Sequence, residues 1–450
     1  MRPTSPRRLD APPAPGRRTR NDREILALAL PAFGALIAEP LFLMADSAIV
    51  GHLGTAQLAG LGVAAALLAT LVNVFVFLAY ATTAAVARRV GSGDRRAAVQ
   101  QGIDGIWLAS ILSVPVVAAA TTLAPGLVHL FGASPTATPY AVDYLRISAL
   151  GIPAMLIVLA ATGVLRGLQD TRTPLVVAVA GFGANLLMNI GLVYGAGLGI
   201  AGSALGTVLA QWGMAAAYLT VVVRGARRTG ASLSPDLAGI RACATAGAPL
   251  LVRTLSLRAV LLIATAVAAR LGNTAMASQQ VVMSLWTFLA FALDAIAIAG
   301  QAIIGRCLGA SDAMGARAAT RRMVEWGIGT GIVLGALLLL ARPLYLPLFT
   351  ADPAVQHQLD AVLVIAAATQ PVCGVVFVLD GVLMGAGDGP YLAWAMLATL
   401  AAYAPVALTI GSGSLVALWG AIALCMVVRL LFLGLRARTG AWLVTGAVRA

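Results

Sequence analysis

The chain is predicted to be an all-α polytopic membrane protein, with twelve transmembrane helices in two pseudo-symmetric six-helix lobes related by a parallel repeat. Three observations predict it. Of 450 residues, 60% are hydrophobic and 10% charged, with a mean hydropathy of +0.93, whereas soluble domains carry about 25% charged residues. Apolar stretches able to cross a bilayer, about 20 residues each, tile the chain from Ile25 to Leu435. Landmarks of the first half also return in the second at one constant offset, Pro31 as Pro249 (249 − 31 = 218) and Gly202 as Gly420 (420 − 202 = 218).

The expected spans are 25–50, 59–87, 99–122, 141–164, 174–195 and 202–223, then 242–268, 276–305, 323–345, 359–383, 391–411 and 416–435. The first carries Pro31 and Pro40, which each lack a backbone donor and are expected to kink it. It also carries Glu39 and Asp46, seven residues apart, so both lie on one helix face. The second span ends at Arg88-Arg89, the third begins after Asp94-Arg95-Arg96, and the fourth closes on Gly163-Val164-Leu165-Arg166. The fifth holds Asn185 and Asn189, and the sixth Thr207 and Gln211, each pair spaced i,i+4 on one face. Arg253 and Arg258 fall within the seventh span, Asp294 in the eighth, whose length calls for tilt, and Asp380 in the tenth. Apolar length alone identifies the ninth, eleventh and twelfth.

The repeat is far longer than a solenoid unit. Leu53-Gly54, Arg88, Gly91, Asp94, Leu130-Phe131, Pro153, Gly163-Val164-Leu165 and Asp170 all recur without slippage. Six spans per half, an even number, bring the second copy in with the orientation of the first, the plan of a two-lobed secondary transporter with its site between the lobes. The expected organisation is a disordered cytoplasmic tail over 1–23 able to touch anionic lipid, an N-lobe over 24–228, a cytoplasmic linker over 229–241, a C-lobe over 242–435 and a cytoplasmic tail over 436–450.

A net charge of +13 could suggest nucleic-acid binding, but the distribution argues otherwise. With the N-terminus inside, 25 of the 30 basic residues, Arg88, Arg306 and Arg429 among them, fall on inner segments. This positive-inside pattern predicts that both termini are cytoplasmic, and the inner (plasma) membrane is the expected location. The arginine pairs at 7–8 and 17–18 precede a full-length span rather than a short cleavable segment, so they do not read as an export signal. Cys243, Cys307, Cys373 and Cys425 are isolated and His52, His129 and His357 are scattered, with no H-E-x-x-H, P-loop or G-x-S-x-G. No metal site, cofactor, catalytic residue or ATP-driven motor is expected, and energy must come from a gradient if transport is active.

Ionisable groups at membrane depth are costly and mark cavities or partners. Glu39 and Asp46 make the first span a candidate moving, proton-binding element, and the oxygens of Asn185, Asn189, Thr207 and Gln211 could coordinate a small cation or hydrogen-bond a carboxylate, with interhelical hydrogen bonding the equal alternative. Arg253, Arg258, Asp294 and Asp380 are expected to form one buried network. Their counterparts 218 residues earlier are Ala35, Pro40, Val76 and Thr162, while Asp46 and Asn189 correspond to Ala264 and Ala407. The scaffold is repeated and the ionisable chemistry is not.

Several segments carry a family resemblance: Ala45-Asp46-Ser47-Ala48-Ile49-Val50-Gly51-His52-Leu53-Gly54, Gly163–Thr171, Asn185–Asn189, Leu293–Gln301 and Leu379–Asp388. Across about residues 23–435 the chain resembles the multidrug and toxic compound extrusion (MATE) family, specifically its DinF-like branch. The resemblance implies a V-shaped pair of lobes exporting amphipathic, often cationic compounds by H⁺ or Na⁺ antiport, with Asp46 as coupling residue beside Asn185, Asn189 and Thr207, and Pro31 as a bending point. This chain departs at Asn189, where an aspartate is common. A single carboxylate works by taking up a proton, whereas Na⁺ wants fixed negative charge and several oxygens, so H⁺ coupling is expected. The protein is expected to be a monomer handling a small organic substrate, without nucleic-acid partners. A lipid-linked precursor flippase is the alternative; a major-facilitator architecture is disfavoured because 88–96 lacks its loop signature.

Overall fold

The computed structural model describes residues 15–350 and 352–448, without the side chains of residues 15–20, 39 and 43. In the first half the helices are α1 (Pro15–Gly51), α2 (Thr55–Val74), α3 (Phe77–Gly91), α4 (Arg95–Thr122), α5 (Ala124–Leu130), α6 (Thr138–Ala149), α7 (Ile152–Gly167), α8 (Arg172–Ile190) and α9 (Gly199–Thr229). In the second they are α10 (Leu237–Arg270), α11 (Asn273–Gly309), α12 (Ala313–Leu340), α13 (Arg342–Phe349), α14 (Pro353–Gly385), α15 (Gly389–Thr409) and α16 (Leu415–Thr439). Among the described residues eleven spans are long and apolar enough to cross a membrane, or twelve if the α6–α7 pair, bent by 51°, counts as one span.

The sequence repeat is visible in the helix ends. α4 and α12 start and stop 218 residues apart (313 − 95, 340 − 122), and the short α5 has its counterpart in α13 (342 − 124 = 218). Local chemistry explains the shared starts: Asp94 Oδ1 accepts from Ala97 N at 2.8 Å, and Asp312 Oδ1 from Gly315 N at 2.7 Å. Each carboxylate satisfies a donor that the first turn leaves unpaired. The halves differ where α14 runs unbroken through Pro371 while its counterpart, at Pro153, is the bent α6–α7 pair.

The packing is asymmetric along the bundle. At the arginine-rich end, where α1 begins and α16 ends, one hydrophobic core runs through both halves, from Ile25 and Leu28 to Ile304, Leu433 and Trp442. At the opposite end there are two separate cores, one around Val50, Leu61 and Tyr144, the other around Ala264, Leu363 and Trp419. The lobes are therefore joined at one end and parted at the other. Cross-lobe polar contacts obey the same asymmetry: Asp22 with Arg322, Glu24 with Arg306, Gln169 Nε2 donating to Ala302 O, and Gln301 Nε2 donating to Tyr80 O.

Three expected boundaries shift. Residues 1–14 lie outside the described residues, but 15–23, expected as disordered tail, are the first turns of α1. Asp22 accepts from Arg322 Nε at 2.6 Å and from Trp326 Nε1 at 2.8 Å, which gives those turns tertiary anchors. The expected linker 229–241 narrows because α10 already begins at Leu237, capped by Asp236 through Ala238 N. The final helix extends past 435 to Thr439, where Gly440, at φ 72°, supplies the left-handed stop.

Candidate functional site

In the N-terminal half, four helices bring a carboxylate and a ring of neutral polar groups together. Asp46 lies five residues before the end of α1 and is 4% exposed. Its Oδ1 accepts from Asn189 Nδ2 of α8 and from Ser203 Oγ of α9, both at 2.7 Å. Tyr144 OH of α6 donates to Oδ2 at 3.4 Å. Asn185 Nδ2 donates to Thr207 Oγ1 at 3.1 Å, one turn away on both helices. Asn185, Asn189, Ser203 and Thr207 are all buried.

Local structure makes this convergence possible. Gly206 lets α9 lie directly on Asn189, since a Cβ there would come within 2.1 Å of Asn189 Oδ1. A π-helical turn, Gly191–Gly195, follows Asn189, a geometry that recurs at functional sites. It presents Tyr194, whose hydroxyl donates to Ile49 O at 2.7 Å and ties the end of α1 to α8. The cluster also has spare acceptors: the buried Oδ1 atoms of Asn185 and Asn189 have no protein partner among the described residues, nor does Oε1 of Gln211, a turn beyond Thr207.

The structure thus brings together Asp46, Asn185, Asn189 and Thr207. The Glu39 side chain lies outside the described residues. Pro31 and Pro40 both sit inside α1, which continues through them without a break. Sequence reasoning missed Ser203 and Tyr144. Ser203 was readable, since Ser203, Thr207 and Gln211 repeat at i,i+4 on one face. Tyr144 gave no such signal, because it reaches Asp46 from a helix 98 residues away.

The charged group of the second half is rearranged relative to expectation. Asp380 of α14 pairs with Arg253 of α10, and also accepts from Arg429 Nη2 of α16 at 3.2 Å. All three side chains are buried, and Arg253 also lies 5.9 Å from the centre of the Tyr80 ring. Arg429, counted from sequence with the inner arginines although the expected span 416–435 contains it, is a buried member of the triad. The Asp380 carboxylate sits between two guanidiniums, and Arg429 is among the buried residues of α16. Arg258 points to an exposed face, and Asp294 makes no direct ion pair among the described residues. The expected four-residue network is therefore a triad of Arg253, Asp380 and Arg429.

The MatE family model matches residues 31–190 and again 249–409, so it too sees two copies. The chain is 32% identical to Protein DETOXIFICATION 44, chloroplastic, of Arabidopsis thaliana, covering 83% of this chain and 74% of the relative. It is 29% identical to DNA damage-inducible protein F of Escherichia coli, covering 91% of each. It is 26% identical to a probable multidrug resistance protein NorM of Xanthomonas campestris, covering 80% of this chain and 81% of the relative. Among solved structures, the Vibrio cholerae MATE transporter VcmN in the bent form superposes with a TM-score of 0.84 at 20% identity, covering 95% of this chain and 99% of that one. That level of identity supports the fold alone.

Proposed function

The chain belongs to the MatE family of multidrug efflux transporters, and we propose that it exports amphipathic organic cations in exchange for protons, with Asp46 carrying the proton. The observation that carries this reading is the Asp46 cluster: a buried carboxylate held by Asn189, Ser203 and Tyr144, which are all neutral donors. Such a carboxylate can exchange a proton without disturbing an ion pair.

The cycle follows from the two ends of the bundle. With the lobes parted at the Asp46 end, a proton arriving there neutralises the carboxylate and weakens the charge-assisted bonds that fix α1 to α8 and α9. A cation held by that charge is released, and α1, with Pro31 and Pro40 as its points of flexure, repacks. The joined end then opens, the proton leaves to the cytoplasm, and substrate binds again. In this reading both termini are cytoplasmic, the protein acts as a monomer in the inner (plasma) membrane, and the Arg253–Asp380–Arg429 triad stiffens the second lobe. The multidrug resistance relatives favour efflux over flipping of a lipid-linked precursor.

The spare Oδ1 atoms of Asn185 and Asn189 favour Na⁺ as the second reading, since hard cations take oxygen ligands. One experiment separates the two. Purified protein in proteoliposomes is tested for efflux of a fluorescent organic cation under an imposed pH gradient and then a Na⁺ gradient, beside Asp46→Asn. The expected result is pH-driven efflux that is lost in a folded Asp46→Asn variant. Undiminished efflux by that variant would sink the role of Asp46, and a response to Na⁺ alone would move the coupling to the second reading.

A further inference from the structure

A cavity of about 380 Å³ opens on the first lobe, away from the Asp46 cluster. Its walls come from the second turn of α4 at Val99, the last turn of α7 at Val164 and Leu165, and the closing turns of α9 at Val221 and Val222. All three are at the arginine-rich end of the bundle. Its mouth carries Arg224 and Arg228, one turn apart on α9, both exposed and neither hydrogen-bonded nor ion-paired among the described residues. Asp170 also lines the cavity, but its carboxylate is already committed. It accepts from Arg172 N and Thr173 N at 3.0 Å, and from Thr173 Oγ1 at 2.6 Å, capping α8.

We propose that this cavity is a binding site for an anionic phospholipid, whose phosphate meets Arg224 and Arg228 while its glycerol and upper acyl carbons lie on the valine and leucine walls. Both halves of the ligand are specified by the cavity. An apolar pocket with two unpartnered cations at its rim complements an amphipathic anion, and the pocket lies where span ends meet a headgroup layer. Basic pockets between membrane helices on the cytoplasmic side suit anionic headgroups. Inorganic phosphate would satisfy the arginines and leave the walls uncovered. The site is built from α4, α7 and α9 and requires nothing of the proton site.

The test is retention of lipid by the full-length protein, read by native mass spectrometry after exchange from phosphatidylglycerol or phosphatidylcholine. Wild-type protein is expected to keep one phosphatidylglycerol in preference to phosphatidylcholine. Arg224→Gln and Arg228→Gln should each weaken that retention roughly fivefold, the scale of one basic residue at an anionic surface. Val221→Trp, which fills the apolar wall and leaves the charge alone, should weaken it as well. Arg227→Gln, an exposed neighbour outside the cavity, should not. Equal retention of the two lipids, or an equal loss in Arg227→Gln, would overturn the site in favour of diffuse surface attraction. Displacement of the lipid by millimolar inorganic phosphate, with Val221→Trp silent, would overturn it in favour of a small-anion site.

Discussion

Gly91 and Gly309, equivalent positions of the two repeats (309 − 91 = 218), face each other's chain across the lobe junction: a Cβ on Gly91 would lie 2.0 Å from Arg306 O, and one on Gly309 1.9 Å from Arg88 O. Ala87 and Gly305, also equivalent, touch beside them. The pseudo-twofold axis therefore passes through the crossing of α3 and α11, where backbone meets backbone. Gly309→Ala should force the helices apart at the joined end. Overpacking of this kind costs roughly 1–3 kcal/mol, so the melting temperature in detergent should fall, and efflux with it. Gly434→Ala, where a Cβ meets nothing within 4 Å, should leave melting unchanged or raise it. Equal behaviour of the two variants would refute close packing at the axis.

Arg88 is held at the same junction by the end of the chain. Its guanidinium donates to Val444 O at 2.9 Å, Gly446 O at 3.0 Å and Ala386 O at 2.8 Å, while Gly446 N donates to Leu308 O at 2.9 Å and Trp442 is buried. Truncation after Thr439 removes two of those acceptors from a buried cation. Hydrogen bonds to charged groups are worth about 1.5–3 kcal/mol each, so the truncated chain should melt well below the full one. Arg88→Met in the truncated background should recover part of the loss. An unchanged melting temperature after truncation would show that the terminal strap is decorative.

The fold was legible because its determinants are serial: apolar length, arginine placement and a repeat that can be counted. Asn185, Asn189 and Thr207 could be singled out as polar residues a turn from another on an apolar helix, and Asp46 as a carboxylate at membrane depth, while their meeting was implied only by the family resemblance. Tyr144 and Arg429 were not, because what makes each one matter is a partner on another helix. Arg429 was counted with the inner arginines although the expected span 416–435 contains it, since an arginine two turns from the end of a span reads from sequence as one that reaches the basic interface. The C-terminal strap escaped notice too, its acceptors being main-chain carbonyls that no residue type betrays.

The triad should behave as structure rather than transport machinery. Removing one partner of a buried ion pair costs about 3–5 kcal/mol, because the other is left uncompensated. Asp380→Asn strands Arg253 and Arg429 together and should lower the yield of folded protein sharply. Arg258→Gln, on an exposed face of α10, should leave both yield and melting close to wild type. A well-folded Asp380→Asn protein with lost efflux would instead place the triad in the transport path.

The identity of residue 189 should set the coupling ion. Asn189 presents its Nδ2 to Asp46 Oδ1 at 2.7 Å, so the pair is one charge wide: a carboxylate and a neutral donor. Asn189→Asp would replace that donor with a second carboxylate at hydrogen-bond distance, and two such groups repel unless a proton or a cation lies between them. Around them stand the Asn185 Oδ1, which has no protein partner, and the hydroxyls of Ser203 and Thr207, so the variant site would offer oxygens and two negative charges, the donor set that a desolvated Na⁺ requires. In proteoliposomes Asn189→Asp is therefore expected to gain efflux under an inward Na⁺ gradient at fixed pH, and the wild type, on the proposed proton coupling, to respond to the pH gradient. The same gradient preference in both proteins would show that the charge count at this pair does not select the ion, and would move the search to Glu39, two turns back along α1.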